Sequence, residues 1–244
     1  MGLTKNILKY TLLLFAITYI VLDLLDFYFE ADILRIIAHV LLFVLYYQWT
    51  VQKSTLFLWF LIADIIGNLI GFVTWFDGIL QATNSTYLYY FNYDLFMISY
   101  SFLILYITSK LSLKEVFKNF RITIFIFSIL SVLCVILISA TNNQDDSYSF
   151  YDIIQTYTYN TVVMVLLLVS LVNFMYRSDM KSMLLLLGCM SFFFTEIMWM
   201  AYFFTTDKLS INLISSFSII LGYIFIYSQS QIQYKEPEAD IIEQ

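Results

Sequence analysis

The sequence predicts an all-α, polytopic membrane bundle of about eight transmembrane helices with both termini cytoplasmic. Three observations carry this. The 244 residues are 61% hydrophobic, 20% aromatic and only 12% charged, a composition outside the range of soluble domains. Eight apolar segments, each near the length that crosses a bilayer, follow one another with short polar connections. The basic residues fall on alternate connections, so that ten of the twelve lie on one side of an eight-span arrangement.

The segments cover 6–22, 33–50, 55–76, 87–108, 122–140, 152–176, 182–204 and 209–228. The first follows Lys5 and Lys9 and runs into LDLLDFYFE without a small-residue cleavage site, so a retained span is expected rather than a signal peptide. Lys5, Lys9, Lys53, Lys110, Lys114, Lys118, Arg121, Arg177, Lys181 and Lys235 share the side expected to be cytoplasmic. The opposite side receives Asp23, Asp26, Glu30, Asp32, Asp77, Asp145, Asp146, Asp152 and Asp207, with Lys208. The longest cytoplasmic connection, SKLSLKEVFKNFR, reads as a basic anchor at the headgroups. No span contains proline, so the helices should run unbroken. Residues 1–229 are expected to form one membrane domain and 230–244, with Pro237, a flexible cytoplasmic tail.

Cys134 and Cys189 both fall inside spans and offer neither a disulfide framework nor a paired metal site. His39 is the single histidine, which excludes a three-histidine zinc centre built by this chain alone. No metal or cofactor is expected. The net charge of −6 gives no reason to expect a nucleic-acid partner. The expected partner is a membrane lipid or lysolipid.

The third span, FLWFLIADIIGNLIGF, places Asp64 in the middle of an apolar run. A carboxylate at the bilayer centre costs about 2.5–3.5 kcal/mol on insertion scales, so Asp64 must face the bundle interior or a wet cavity. Gly67, Asn68 and Gly71 share its face, because offsets of three, four and seven residues return to one side of a helix. The two glycines allow a close helix crossing, with Asn68 as the nearest donor to the acid. Arg35 and His39, with Tyr46 on the same face, Asp64 and Asn68, Asn92 and Asp94, Asn160 and Glu196 all lie between the midplane and the outer surface. This clustering predicts a polar pocket open to the outer side. Arg35 either snorkels to the headgroups or pairs with Asp94 or Glu196, and His39 either closes an interhelical hydrogen bond or serves the site. Glu196 shares a face with Cys189, Phe192, Trp199, Met200 and Phe203, surroundings that disfavour the charged carboxylate. Asp64 and Glu196 are the catalytic candidates, with Arg35, His39, Asn68, Asp94 and Asn160 as substrate-binding candidates.

At the two acids the chain resembles the YhhN family of eight-span membrane proteins, whose characterised members are lysoplasmalogenases. The family's early Gly-Asp corresponds to Ala63-Asp64, and its late Gly, Phe and Ser-Asp positions correspond to Gly188, Phe193 and Thr195-Glu196. The resemblance implies cleavage of the vinyl ether bond of a lysoplasmalogen in a bacterial inner membrane, releasing an aldehyde and a glycerophospho-alcohol. A carboxylic acid would protonate the β carbon and a carboxylate would steady the oxocarbenium-like species that water attacks, as paired carboxyls do in glycoside hydrolysis. Glu196 as acid and Asp64 as base is one assignment, and the reverse stands beside it. Two other functions fit the same residues: a non-catalytic lipid-binding or structural protein, and a proton-coupled carrier using Asp64, Asp94 and Glu196.

Overall fold

The computed structural model describes residues 2–76, 82–142, 150–202 and 208–233, with side chains from residue 6 onward except at 82–86, 141, 142, 199, 200, 202 and 208. Asp77, Asp145, Asp146, Asp207, Lys235 and Pro237 lie outside the described residues. Among the described residues nine α-helices form: α1 (Gly2–Leu24), α2 (Tyr28–Trp49), α3 (Thr55–Val73), α4 (Ala82–Thr108), α5 (Leu113–Asn119), α6 (Arg121–Asn142), α7 (Phe150–Arg177), α8 (Met180–Tyr202) and α9 (Lys208–Ser230). Among the described residues there is no strand. Each expected apolar segment maps onto one long helix, and the basic connection between the fourth and fifth contains the short α5.

Seven of the helices, all but α2 and α5, are long and apolar enough to cross a membrane, and the chain is an integral membrane protein. Helix α2 is of similar length but starts at Tyr28, five residues before the expected segment, and so takes Glu30 and Asp32 into the helix beside Arg35 and His39. Two of its charges pair with each other. The Arg35 guanidinium lies 2.8 Å from Asp32, and the Trp75 indole donates to Asp32 at 2.7 Å.

Local chemistry sets the turns. The chain leaves α1 through Asp26 at φ 61°, a left-handed conformation that a short polar side chain tolerates. Between α7 and α8, Ser178 takes φ 51° and Asp179 then caps α8: its carboxylate accepts from the Ser182 N–H at 2.7 Å while the Asp179 N–H donates to the Ser182 hydroxyl at 3.3 Å.

The helices pack in a ring in the order α1, α2, α3, α4, α7, α8, α9, closed by α9 against α1, with α6 outside it on α7. Hydrogen bonds between elements define its two ends. Gln231 to Thr50, Tyr176 to Glu115, Arg177 to the Lys110 carbonyl and Lys181 to the Ile232 carbonyl mark the basic end. Asp23 with Ser216, Asp32 with Trp75 and Asp94 with Gln155 mark the acidic end. The core between them is aromatic and aliphatic, with Tyr46, Phe57, Phe60, Leu103, Ile107, Leu185 and Ile226 almost fully buried.

Two glycine contacts bring helices close. A Cβ on Gly67 would stand 3.2 Å from the Phe96 ring, and one on Gly71 would stand 3.1 Å from the Asn92 amide, so α4 lies over the predicted small-residue face. At α8 and α9 the approach is reciprocal and tighter: a Cβ on Gly188 would fall 2.7 Å from Ile226, and one on Gly222 2.6 Å from Phe192. Phe96 is only half-buried and has room to yield. Gly67→Ala is therefore expected to change stability by less than about 1 kcal/mol, since the gain in helix propensity offsets the crowding. Thermal unfolding in detergent measures it; a large loss would show that α4 cannot give way.

Candidate functional site

Asp64, in the middle of α3, has no exposed surface. Two groups from neighbouring helices meet its carboxyl. The Tyr223 hydroxyl of α9 donates to Oδ1 at 2.7 Å, and His39 Nε2 of α2 stands 3.3 Å from Oδ2, at ion-pair distance but without hydrogen-bond alignment. His39 Nδ1 lies 2.6 Å from the carbonyl oxygen of Arg35. A carbonyl only accepts, so Nδ1 carries a proton and Nε2 is the nitrogen turned to the acid. Edge-to-face packing of His39 on Tyr223, with ring centroids 4.3 Å apart, fixes both side chains.

The partners differ from the sequence expectation. Asn68 donates to the backbone carbonyl of Asp64 at 2.8 Å, one turn back on its own helix, and leaves the carboxyl to Tyr223 and His39. Arg35 pairs with Asp32 rather than with Asp94 or Glu196, because the earlier start of α2 sets Asp32 one turn away on the same face. Tyr46 lies beyond the site, two turns toward the basic end, where its hydroxyl accepts from the Ser54 N–H at 2.8 Å.

Toward the acidic end is a cavity of about 390 Å³, lined by residues of α1, α2, α3, α4, α8 and α9, among them Asp23, Asp32, Arg35, Asn92, Thr195 and Asn212. A narrow apolar groove of about 60 Å³ lies between α1, α2 and α9, lined by Leu12, Ala16, Leu42, Ile220, His39 and Tyr223. Tyr19, Arg35 and Ile219 line both spaces. Asp64 lines neither, and His39 and Tyr223 stand between it and the groove. The polar cavity and the apolar groove thus adjoin through three shared lining residues.

The other candidates are placed apart. Glu196 accepts from the Tyr159 hydroxyl at 2.6 Å and forms no bond with Asp64; of the residues expected on its face, Cys189 and Phe192 are buried, while Phe203 and the side chains of Trp199 and Met200 lie outside the described residues. A run of rings leads from one acid to the other: Tyr223 to Phe192 at 5.1 Å, Phe192 to Tyr100 at 5.7 Å and Tyr100 to Tyr159 at 6.2 Å. Asp94 accepts from the Gln155 amide at 3.1 Å between α4 and α7. Asn160 donates to Ser139 at 3.0 Å between α7 and α6. Neither lines the cavity. Among the described residues no three His, Cys, Asp or Glu side chains converge as metal ligands would.

Sequence reasoning missed Tyr223, Tyr159 and the α9 wall of the cavity. Asn212, Ser216, Ile219 and Tyr223 recur at offsets of four, three and four, a helical face that was available to be read. The fold and site together define an integral membrane helical bundle with a buried, histidine-paired carboxyl. No family model matches the chain, and neither does any curated protein or solved structure.

Proposed function

We propose that the protein is a membrane hydrolase that cleaves the vinyl ether bond of a lysoplasmalogen-type lysolipid. The observation that carries this reading is the Asp64–His39 pair, a carboxyl oxygen 3.3 Å from an imidazole nitrogen, set beside a polar cavity and an apolar groove that share lining residues. A one-chain amphiphile matches those two spaces, with its headgroup beside Arg35 and its chain along Leu12, Ala16 and Leu42. The likeness at Ala63-Asp64 and Thr195-Glu196 supplies the bond type. The pair gives its proton to the β carbon of the vinyl ether, and the oxocarbenium species takes up water. The pair then recovers a proton from that water, and the hemiacetal collapses to an aldehyde and a glycerophospho-alcohol. Glu196, held by Tyr159, is the second carboxyl of the reaction. Eight spans, with α2 as the charged one, and a cytoplasmic basic end complete the reading, which faces the cavity to the outer side of a bacterial inner membrane.

Purified protein in detergent is expected to release aldehyde from a lysoplasmalogen and not from the acyl lysolipid with the same headgroup. Glu196→Gln is expected to lower release about a hundredfold or more, the scale of general acid–base assistance. Folded wild-type protein that releases no aldehyde would end the proposal. A second reading rests on the full burial of Asp64 outside both spaces: the carboxyl fastens α2, α3 and α9 and catalyses nothing. Its signature is loss of stability in carboxyl variants with no turnover to lose.

A further inference from the structure

At the basic end, α5 (Leu113–Asn119) connects α4 to α6 and is held to the bundle by two residues. Val116 is buried at 3% exposure, and the Glu115 carboxylate, the single acid on the helix, accepts from the Tyr176 hydroxyl at 2.6 Å. The rest of the helix faces outward. Leu113 and Phe117 are 52% and 58% exposed and stand one turn apart on one face. Lys114 and Lys118 are likewise one turn apart and exposed on the adjoining face, and the exposed Arg121 opens α6 directly after them. At about 100° per residue the apolar face with Val116, Leu113 and Phe117 borders the basic face, and Glu115 and Asn119 occupy the remaining side. Such an arrangement suits a helix lying along the membrane surface, its apolar face at the acyl boundary and its cations among the headgroups.

We propose that α5 and Arg121 form a seat for an anionic phospholipid on the basic face of the bundle. Phe117 and Leu113 reach the upper acyl region while Lys114, Lys118 and Arg121 surround the phosphate. Charge decides the occupant: three exposed cations fall within eight residues of this surface, and the carboxylate of the same helix is bonded to Tyr176. A zwitterionic headgroup would bring an ammonium against those cations, whereas an anionic one brings a net negative charge.

The test uses full-length protein equilibrated in detergent with equal amounts of phosphatidylglycerol and phosphatidylcholine, with bound lipid counted by native mass spectrometry. Phosphatidylglycerol is expected to predominate, and Lys114→Gln, Lys118→Gln and Arg121→Gln together to abolish the preference. Each single change is expected to lower it about fivefold, the factor corresponding to one cation near an anionic surface. Lys9→Gln with Lys53→Gln, which removes charge from the same end, is expected to leave it intact. The triple variant should unfold at the wild-type temperature in phosphatidylcholine alone; if it fails to fold, the single variants carry the test. Three results would overturn the proposal: a preference that survives removal of the three cations, an equal loss in the Lys9 and Lys53 variant, or displacement of the lipid by soluble glycerol phosphate.

Discussion

Asp64→Asn is expected to reduce aldehyde release by a factor of about 10² to 10⁴ while leaving the protein folded. An asparagine has the shape of the aspartate and its amide oxygen still accepts from Tyr223, so the crossing of α3 and α9 survives. What it lacks is the second oxygen facing His39. With an amide NH₂ opposite Nε2, the carboxyl oxygen through which the proposed proton transfer runs is gone. Asp64→Leu acts differently. It strands the buried Tyr223 hydroxyl, and an unpartnered buried polar group costs about 1–3 kcal/mol. Comparing the two variants by thermal unfolding and by turnover separates chemistry from fastening. An Asp64→Asn protein that turns over within a factor of two of wild type would reduce the carboxyl to a structural bond.

Gly222→Ala is expected to lower stability by about 1–3 kcal/mol and to lower turnover with it. The added methyl would lie 2.6 Å from one carbon of the Phe192 ring and 2.7 Å from the next. That ring cannot swing away. It is 2% exposed, with Tyr100 on one side and Tyr223 on the other. Displacement therefore passes to Tyr223, the residue next in sequence, whose hydroxyl holds Asp64. Gly188→Ala should be as costly, because the backbone carbonyl of Gly222 at 3.2 Å stands behind the Ile226 side chain and leaves no room to retreat without parting the helices. The contrast with the mild Gly67→Ala change is itself a check. Equal losses at Gly67 and Gly222 would mean that rigidity of the facing ring is not what sets the cost.

Much of this architecture is legible from composition alone, because a run of eighteen or more apolar residues admits few other structures. Asp64 is conspicuous for the same reason: a carboxyl in FLIADIIG has nothing local to account for it. Gly67 and Gly71 likewise announce a close neighbour, and α4 supplies it with Phe96 and Asn92. The partners of the acid are another matter. Tyr223 is one of twenty tyrosines, and its own segment shows the face it shares with Asn212 and Ser216 but not the acid that face meets. Its role follows from α9 closing the ring against α1 and α2, a fact of helix order that no local pattern encodes. The partner of Glu196, Tyr159, depends in the same way on α7 meeting α8. Arg35 shows the opposite case. Its partner Asp32 sits three residues away, within reach of a pattern argument, and was hidden because the apolar run that defines the segment begins after it.

The two groups that meet Asp64 come from opposite ends of the chain, His39 twenty-five residues before it and Tyr223 159 residues after it. During synthesis α2 precedes α3, so the histidine is at hand when the acid enters the bilayer. The tyrosine arrives with the last helix. Until then Oδ1 has no cross-helix donor, and the cost of a carboxyl in hydrocarbon, about 2.5–3.5 kcal/mol, is only partly relieved. Order of synthesis thus makes α9 a latch: until it packs, the acid in α3 is faced by α2 alone.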